Sequence, residues 1–587
     1  MRFRPAPLPL FVLLAGTGLL APGAAAPVHR PAVGSLPPIV FVSRSFAPDT
    51  GVDPADAIES AGGVPGFGPH GRAARAPGRL MSRAADGTVR ELAGTDRFSA
   101  IAHPRVSPDG KCVAFAAAEA PTDPWRLWRY DLDTARLQPL APDPWFVDIA
   151  GDAHTRGDLV QPCWISDSVL CAVWLQPDRR TQYTDLPVSS LVMFPSLRGT
   201  QDDERPRHLR SGPGVSATDG VFFAAKLTPI THERNGAEAP AFDPVTGRIV
   251  YSRWWFNRWR ASDDDPRGIT DDVARAIARD TVNLWQIVSI RPDGTDERVE
   301  ASGMRSRLES MGYGPAVLAD GSIVATYASN LGLSPRPGSL GIQRFSPRLG
   351  HAERLVGAIV DAKGGSDYGS PRGLAAPAAC DPAGLPDGRL LFSYAPGGRG
   401  DFGLYVMDRD GSHVGKVFDA EGSDELDAAP IVTWRGMRDA ELPPAPPAPV
   451  WQPDGLATGP TFRFFDRDVF AGGHAMPGVH AAPPRSGGAR IRFWAALPRP
   501  TVAGGDTAVL VREVPVRPDG SVDERVPAGV PMFEQLVDSN GRVLRTPEGP
   551  AHVAGLNTGP PGGTVTCVGC HTGHSVLERG RIHPPRR

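Results

Sequence analysis

Lysine is nearly absent from this chain. Lys111, Lys226, Lys363 and Lys416 are the four among 62 basic residues, and arginine supplies the rest. The arginine excess reflects composition and selects no function. Net charge is -3, so no surplus of positive charge favours nucleic acid or an acidic membrane as partner. After the first 26 residues no run of about 18 apolar residues occurs, which excludes a membrane-spanning helix from the mature chain. No G-x-S-x-G, H-E-x-x-H or phosphate-binding glycine loop is present, so the familiar hydrolase, zinc-peptidase and nucleotide signatures are missing. Tyrosine stops at Tyr405. Cysteine is limited to six positions.

Glycine and proline, at 67 and 63 residues, are plentiful. They fit many short strands joined by turns. A two-part repeat runs through the first three-quarters of the chain. Its first half is a turn followed by an apolar strand. Examples are Ser107-Pro108-Asp109-Gly110 before Cys112–Phe115, Asp243–Gly247 before Ile249–Tyr251, Ala319-Asp320-Gly321 before Ile323–Ala325, and Pro386-Asp387-Gly388 before Leu390–Phe392. Asp-Gly favours hairpins because both residues tolerate positive φ. The second half is an alternating strand ending in a polar turn: Leu127–Asp131, Leu284–Val288 and Leu404–Asp408. Copies recur roughly 55–80 residues apart, longer than the shortest propeller repeats. The pattern predicts about six blades. Ile39–Val42 is expected to close the ring beside Pro430–Trp434, which removes exposed sheet edges.

Pro443–Pro449 reads as a semi-rigid polyproline linker. Beyond it, Phe462, Phe464 and Phe465, then 489–494, 511–516 and 532–537, alternate as strands of a small β-sandwich. The expected fold is therefore all-β. It comprises a signal peptide at 1–25, a propeller at 26–440, a linker at 441–451, a β-sandwich at 452–563 and a tail at 564–587. One helix is expected in a propeller loop, where Thr270-Asp271-Asp272 precedes 273–279. Asp263-Asp264-Asp265 lacks the alternation of a calcium loop and reads as a solvated turn.

The tail carries Cys567-Val568-Gly569-Cys570-His571. C-x-x-C-H is the attachment sequence for haem c: two thiols add to the vinyl groups and the histidine ligates iron. A structural zinc site would need four protein ligands, usually two such pairs, and only one pair occurs. Cys567, Cys570 and His571 are thus the cofactor-binding candidates. The N-terminus agrees with this assignment. Arg2 and Arg4 precede an apolar stretch from Leu8 to Leu20 and a small-residue site with cleavage expected after Ala25. Haem c is attached on the exported side of a membrane, so a periplasmic or extracellular location is expected. The 16 residues after His571 leave no room within this sequence for a helical cytochrome domain. Ligand-capable residues for the opposite iron face are His474, Met476, His480, Met532, His552 and His574. His474 and Met476, in the glycine-rich loop 472–478, are the leading pair.

Cys163 and Cys171 flank a tight hairpin. They form either a cross-strand disulfide, which export permits, or two buried apolar thiols. The run 253–259, with four large rings, either walls a haem pocket or docking surface or packs between blades.

The Ser-Pro-Asp-Gly strand start at 107–110 resembles TolB-like propellers. The segments 513–516, 518–521, 526–528 and 533–538, followed by Cys567–His571, resemble the middle domain of the hydrazine synthase alpha subunit family. That resemblance implies a propeller ahead of a haem-bearing β domain. The family's iron-binding tyrosine after the motif is replaced here by Thr572-Gly573-His574-Ser575. Its further C-terminal haem region is absent too, so hydrazine synthesis and the zinc that the motif's histidine helps hold are not carried over. The resemblance implies an exported protein with one covalent haem c. It would be an electron carrier, or a haem-dependent oxidoreductase acting on a small molecule, with a redox protein or small-molecule substrate as partner. The alternative is a propeller binding module of the cell envelope whose haem is structural or vestigial.

Overall fold

A computed structural model describes residues 35–45, 76–140, 157–182, 187–194, 228–256, 283–301, 312–328, 340–345, 352–356, 378–396, 401–438, 456, 458–471, 485–498, 506–546, 549–550 and 558–567. Every regular element among them is a strand. The expected signal peptide, the proline-rich linker, the helix at 270–279 and the acidic run 263–265 lie outside the described residues.

Six blades follow one another along the chain. The second runs outward from Ala100–Val106 through Cys112–Ala118 and Arg126–Asp131 to Leu137–Pro139. The fifth and sixth repeat this four-stranded meander from inner strands Tyr313–Val317 and Ala378–Gly384. The third and fourth start from Asp158–Trp164 and Gly236–Asp243, and a parallel bridge between Ser189 and Gly236 joins them into one sheet. The first blade takes its inner strand, Ser423–Pro430, from the far end of the propeller and its other three from 39–45, 78–83 and 89–93. Each inner strand contacts the next, and the last contacts the first, so the ring is closed.

Strand periodicity explains the ring. Ile39–Val42 is buried on both faces, as a strand between two blades must be. Val40 and Val42 pack with Phe115 and Trp128 of the second blade. Ile39 and Phe41 pack with Leu391 and Leu404 of the sixth. Closure uses Ser423–Pro430, with Ile39 opposite Pro430, and not the expected 430–434. Only Ile431 continues the ladder, donating to Pro38 O at 2.7 Å. The chain then turns across the ring. Trp434 N–H donates to Pro108 O (2.9 Å) and Met437 N–H to Ile165 O (2.8 Å).

The Asp-Gly sites form the expected turns. In each, the aspartate Oδ1 accepts the backbone N–H two residues on, as at Asp109, Asp320, Asp387 and Asp410. Gly411 shows why glycine is needed: φ is +83°, and a Cβ there would lie 2.5 Å from Leu355 O. Cys163 and Cys171 are direct cross-strand partners, yet both are thiols. Burial pushes Cys163 up to about 12 and Cys171 well above its ordinary value, so both remain protonated.

A second regularity was not anticipated. All six inner strands carry a left-handed residue at the same place: His103, Gln161, Ala239, Gly314, Asp381 and Asp427, with φ between 49° and 62°. Each coincides with a break in ladder register. Proline follows in the first five. Bulged residues stand outside the regular ladder, so a missing N–H costs little there. The bulges bend the inner strands around a central channel.

After the propeller, two three-stranded sheets form the sandwich. One orders Val522–Pro527, Thr461–Asp466 and Thr564–Cys567; the other orders Asp506–Pro515, Arg490–Pro498 and Met532–Val537. Phe464 meets Phe493 edge-on at 5.1 Å in the shared core.

Truncating the ring-closing strand tests this architecture. Phe41 is fully buried and its ring centroid lies 5.3 Å from that of Phe418. Phe41→Ala should lower propeller stability by about 3–5 kcal/mol, measured as a shift in the urea unfolding midpoint; a change under about 1 kcal/mol would contradict the packing described.

Candidate functional site

The attachment segment enters the sandwich as a strand. Thr564, Val565 and Thr566 favour extended backbone. They pair in parallel with 463–466, which sets Cys567 opposite Asp466. Arg463 N–H donates to Gly563 O (2.9 Å) and Arg467 N–H to Cys567 O (3.1 Å), pinning both ends. Alternation turns Val565 and Cys567 inward; Cys567 is 0% exposed and packs in the sandwich core. Cys570, His571, His474, Met476, His480, His552 and His574 lie outside the described residues. Met532, the remaining ligand candidate, is an ordinary core side chain at 1% exposure. Cys567 fits the first thioether position by chemistry and by place, as a cysteine at the point where the chain leaves the sheet. It also sets a condition. Its sulfur faces the sandwich core and not the cleft, so a thioether there requires the end of this strand to turn outward.

The same strand walls a cleft between sandwich and propeller, with a volume of about 280 Å³. Thr564, Val565, Thr566 and the neighbouring 558–560 form one side. On the other are Thr231 and His232, which precede the fourth blade, and residues 294–297 of its outer turn. His232 keeps some exposed surface but is surrounded by protein; burial, with Arg179 adding repulsion, pushes its pKa down to about 4. It is neutral at pH 7. A smaller cavity beyond His232 is lined by Glu233, Arg234 and the sandwich residue Pro531.

Between these cavities lies a buried charge cluster that the sequence reading missed. Arg253, 2% exposed, bonds Glu297 and lies 3.9 Å from Glu233. Its Nε and Nη2 donate to Gln286 Oε1 at 3.1 and 2.6 Å. Tyr251 Oη donates to Glu233 Oε1 at 3.4 Å. Two carboxylates thus share one guanidinium in a dry site. Burial and the facing Glu297 push Glu233 up to about 8, and burial raises Glu297 as well. The pair of carboxylates favours holding a proton between them, beside the cleft that Glu297 lines.

The aromatic run at 253–259 resolves in part. Trp254 is 2% exposed, 5.7 Å from Trp285, which in turn meets Tyr313 of the fifth blade edge-on at 5.0 Å. This is packing between blades. Residues 257–259 lie outside the described residues.

Two signals in the sequence mark what was missed. Pro104, Pro162, Pro315 and Pro382 each stand five residues before Asp109, Asp167, Asp320 and Asp387. That spacing marks the inner-strand bulges. The cluster had a weaker sign, Arg253 standing between the large apolar residues Tyr251 and Trp254 of one strand.

The raised carboxylate gives a pH dependence. Glu233 binds a proton in the folded state up to about pH 8 but only to about 4.5 when unfolded. Stability from this group is therefore present below about 4.5 and lost as pH rises through about 8. Glu233→Gln should remove that slope. The wild-type advantage over the variant, read from denaturant midpoints, should shrink from pH 5 to pH 8.5; an advantage that grew with pH would contradict the assignment.

Comparison with known proteins bears on this geometry. Residues 501–572 match the family model described as the hydrazine synthase alpha subunit middle domain, a span that includes Cys567, Cys570 and His571. No curated protein matches the chain. Among solved structures, hydrazine synthase from Kuenenia stuttgartiensis aligns over 94% of this chain and 70% of its own, with a TM-score of 0.60 and 16% identity. TolB from Acinetobacter baumannii aligns over 68% of this chain and 67% of its own, with a TM-score of 0.37 and 12% identity. A putative TolB from Agrobacterium tumefaciens aligns over 67% and 92%, with a TM-score of 0.34 and 14% identity. The chain thus shares the all-β fold of hydrazine synthase, and its C-terminal part matches that enzyme's alpha-subunit middle domain.

Proposed function

We propose that this chain is an exported monohaem c-type protein that transfers electrons or performs redox chemistry on a small molecule. One haem c is attached at Cys567 and Cys570, with His571 on the iron, between propeller and sandwich. The observation that carries this reading is the position of C-x-x-C-H. The motif begins on the last residue of a strand whose preceding three residues wall the interdomain cleft. The match at 501–572 spans the motif and supports it.

Haem, when bound, would supply a one-electron couple. The protein's described contributions are separate. Pairing of 564–567 with 463–466 fixes the place at which Cys567 leaves the sheet. The turn at 294–297 and the segment 230–232 cover the cleft from the propeller side. Neutral His232 and the proton on the Glu233–Arg253–Glu297 cluster put an acceptor and a donor next to it. Hydrazine synthesis has no support from the residues. Tyr405, the last tyrosine, belongs to the sixth blade and packs on Tyr394 at 5.1 Å. Among the described residues no helix is long and apolar enough to cross a membrane. A redox protein or a small-molecule substrate is the partner this reading requires.

Expression in a host with cytochrome c maturation should give a haem-stained band that survives denaturing electrophoresis. Cys567→Ser with Cys570→Ser should abolish it, while His571→Ala should keep covalent haem and shift the Soret band. A wild-type protein without covalent haem would overturn the reading. Burial of Cys567 gives a second test. In apoprotein made without maturation, Cys567 should resist iodoacetamide until denaturant is added, as read by peptide mass spectrometry; labelling at the unfolded-chain rate would refute its enclosure.

A further inference from the structure

The propeller has a second cavity, independent of the haem. It occupies the central channel, measures about 290 Å³ and is lined by all six inner strands. That volume is near the lower end for small-molecule sites. Its lining is divided by chemistry. Asp381 of the sixth blade and Asp427 of the first stand on neighbouring inner strands, with Arg105 of the second beside them. On the fourth blade, three places round the ring from the first, Phe242 faces the channel, and Trp434 packs on it at 5.8 Å.

The polar groups on the third to fifth blades satisfy one another. Gln161 Oε1 accepts Ala239 N–H at 2.8 Å, Gln161 Nε2 donates to Tyr313 Oη at 3.1 Å, and Tyr313 Oη donates to Glu238 Oε2 at 2.8 Å. The carboxylate side differs. Asp427 accepts His103 N–H at 3.3 Å and has Arg105 at 3.8 Å. Asp381 accepts the Cys380 thiol at 3.4 Å. A carboxylate has about four lone-pair sites, so both aspartates keep acceptor capacity toward the channel. Among the described lining residues two carboxylates face one guanidinium, with the His103 imidazole the other basic group. Burial first, then Asp427, push Asp381 up to about 7, an effect that Arg105 and the Asp427 backbone N–H offset only in part.

We propose that the channel binds a small organic cation, a primary ammonium with an apolar body. Asp381 and Asp427 take the ammonium, and Phe242 and Trp434 take the carbon body. An ammonium brings three donors to acceptor-only groups, and the aromatic rings favour the remainder of a cationic ligand.

The test uses the full mature protein and n-butylammonium chloride, with n-butanol as the uncharged isostere. Calorimetry or saturation-transfer NMR should show one saturable site for n-butylammonium and none for n-butanol. Asp381→Asn and Asp427→Asn, each checked for native circular dichroism, should weaken the cation at least tenfold. Equal affinity for the alcohol, no saturable binding of the ammonium, or unchanged affinity in both folded variants would overturn the proposal. The comparison of cation and alcohol needs no variant, so it stands even where a substitution disturbs the fold.

Discussion

The antiparallel pairing of Ile39–Ser45 with Ser423–Pro430 is the constraint on which the rest depends. It joins residues 382 positions apart, as in the bond from Ser43 Oγ to Glu425 Oε1. Without it the ring would have two open sheet edges, and the first and sixth blades would lose their shared core. With it, all six inner strands are held at fixed angles around one axis. The channel then exists as a cavity, and the chain leaves the ring at a defined place on its way to the sandwich.

Closure also explains why buried charge is tolerated. Inner strands converge, so side chains from neighbouring blades share small volumes screened from water. Asp381 near Asp427 is a product of that convergence, whereas Arg253, Glu233 and Glu297 meet within the fourth blade and the segment that leads into it. Removing an ion from water costs several kcal/mol. Each cluster limits the cost by sharing a guanidinium or by holding a proton. The same arrangement gives protein groups that exchange protons near neutral pH, one set beside the interdomain cleft and one within the channel.

The hairpins were legible because each depends on a local rule. Asp109, Asp320, Asp387 and Asp410 mark turns through a bond to the residue two ahead, and that interaction needs no tertiary partner. Sandwich strands were legible through Phe462 and Phe464, whose alternation reports one buried face. Blade closure was nearly legible, but the inner strand proved to be 423–430. Its burial comes from neighbouring blades, so its own sequence, with Asp424, Glu425 and Asp427, does not read as a strand. The left-handed bulges could have been found through the proline spacing. The partners of Arg253 could not, because Glu233 and Glu297 come from different turns that only the fourth blade brings together.

The motif at Cys567 shows the same division. By itself the sequence determined that two thiols and a histidine stand at haem spacing, because attachment chemistry reads a short linear string. It also determined that the surroundings are β-strands joined by turns, since periodicity and Asp-Gly pairs are local properties. Only the tertiary structure decided that Cys567 ends a buried parallel strand, that this strand faces the propeller, and that two carboxylates meet in the channel. Those facts depend on which distant segments share a core, and burial and proton affinity are set by that sharing and not by neighbours in sequence.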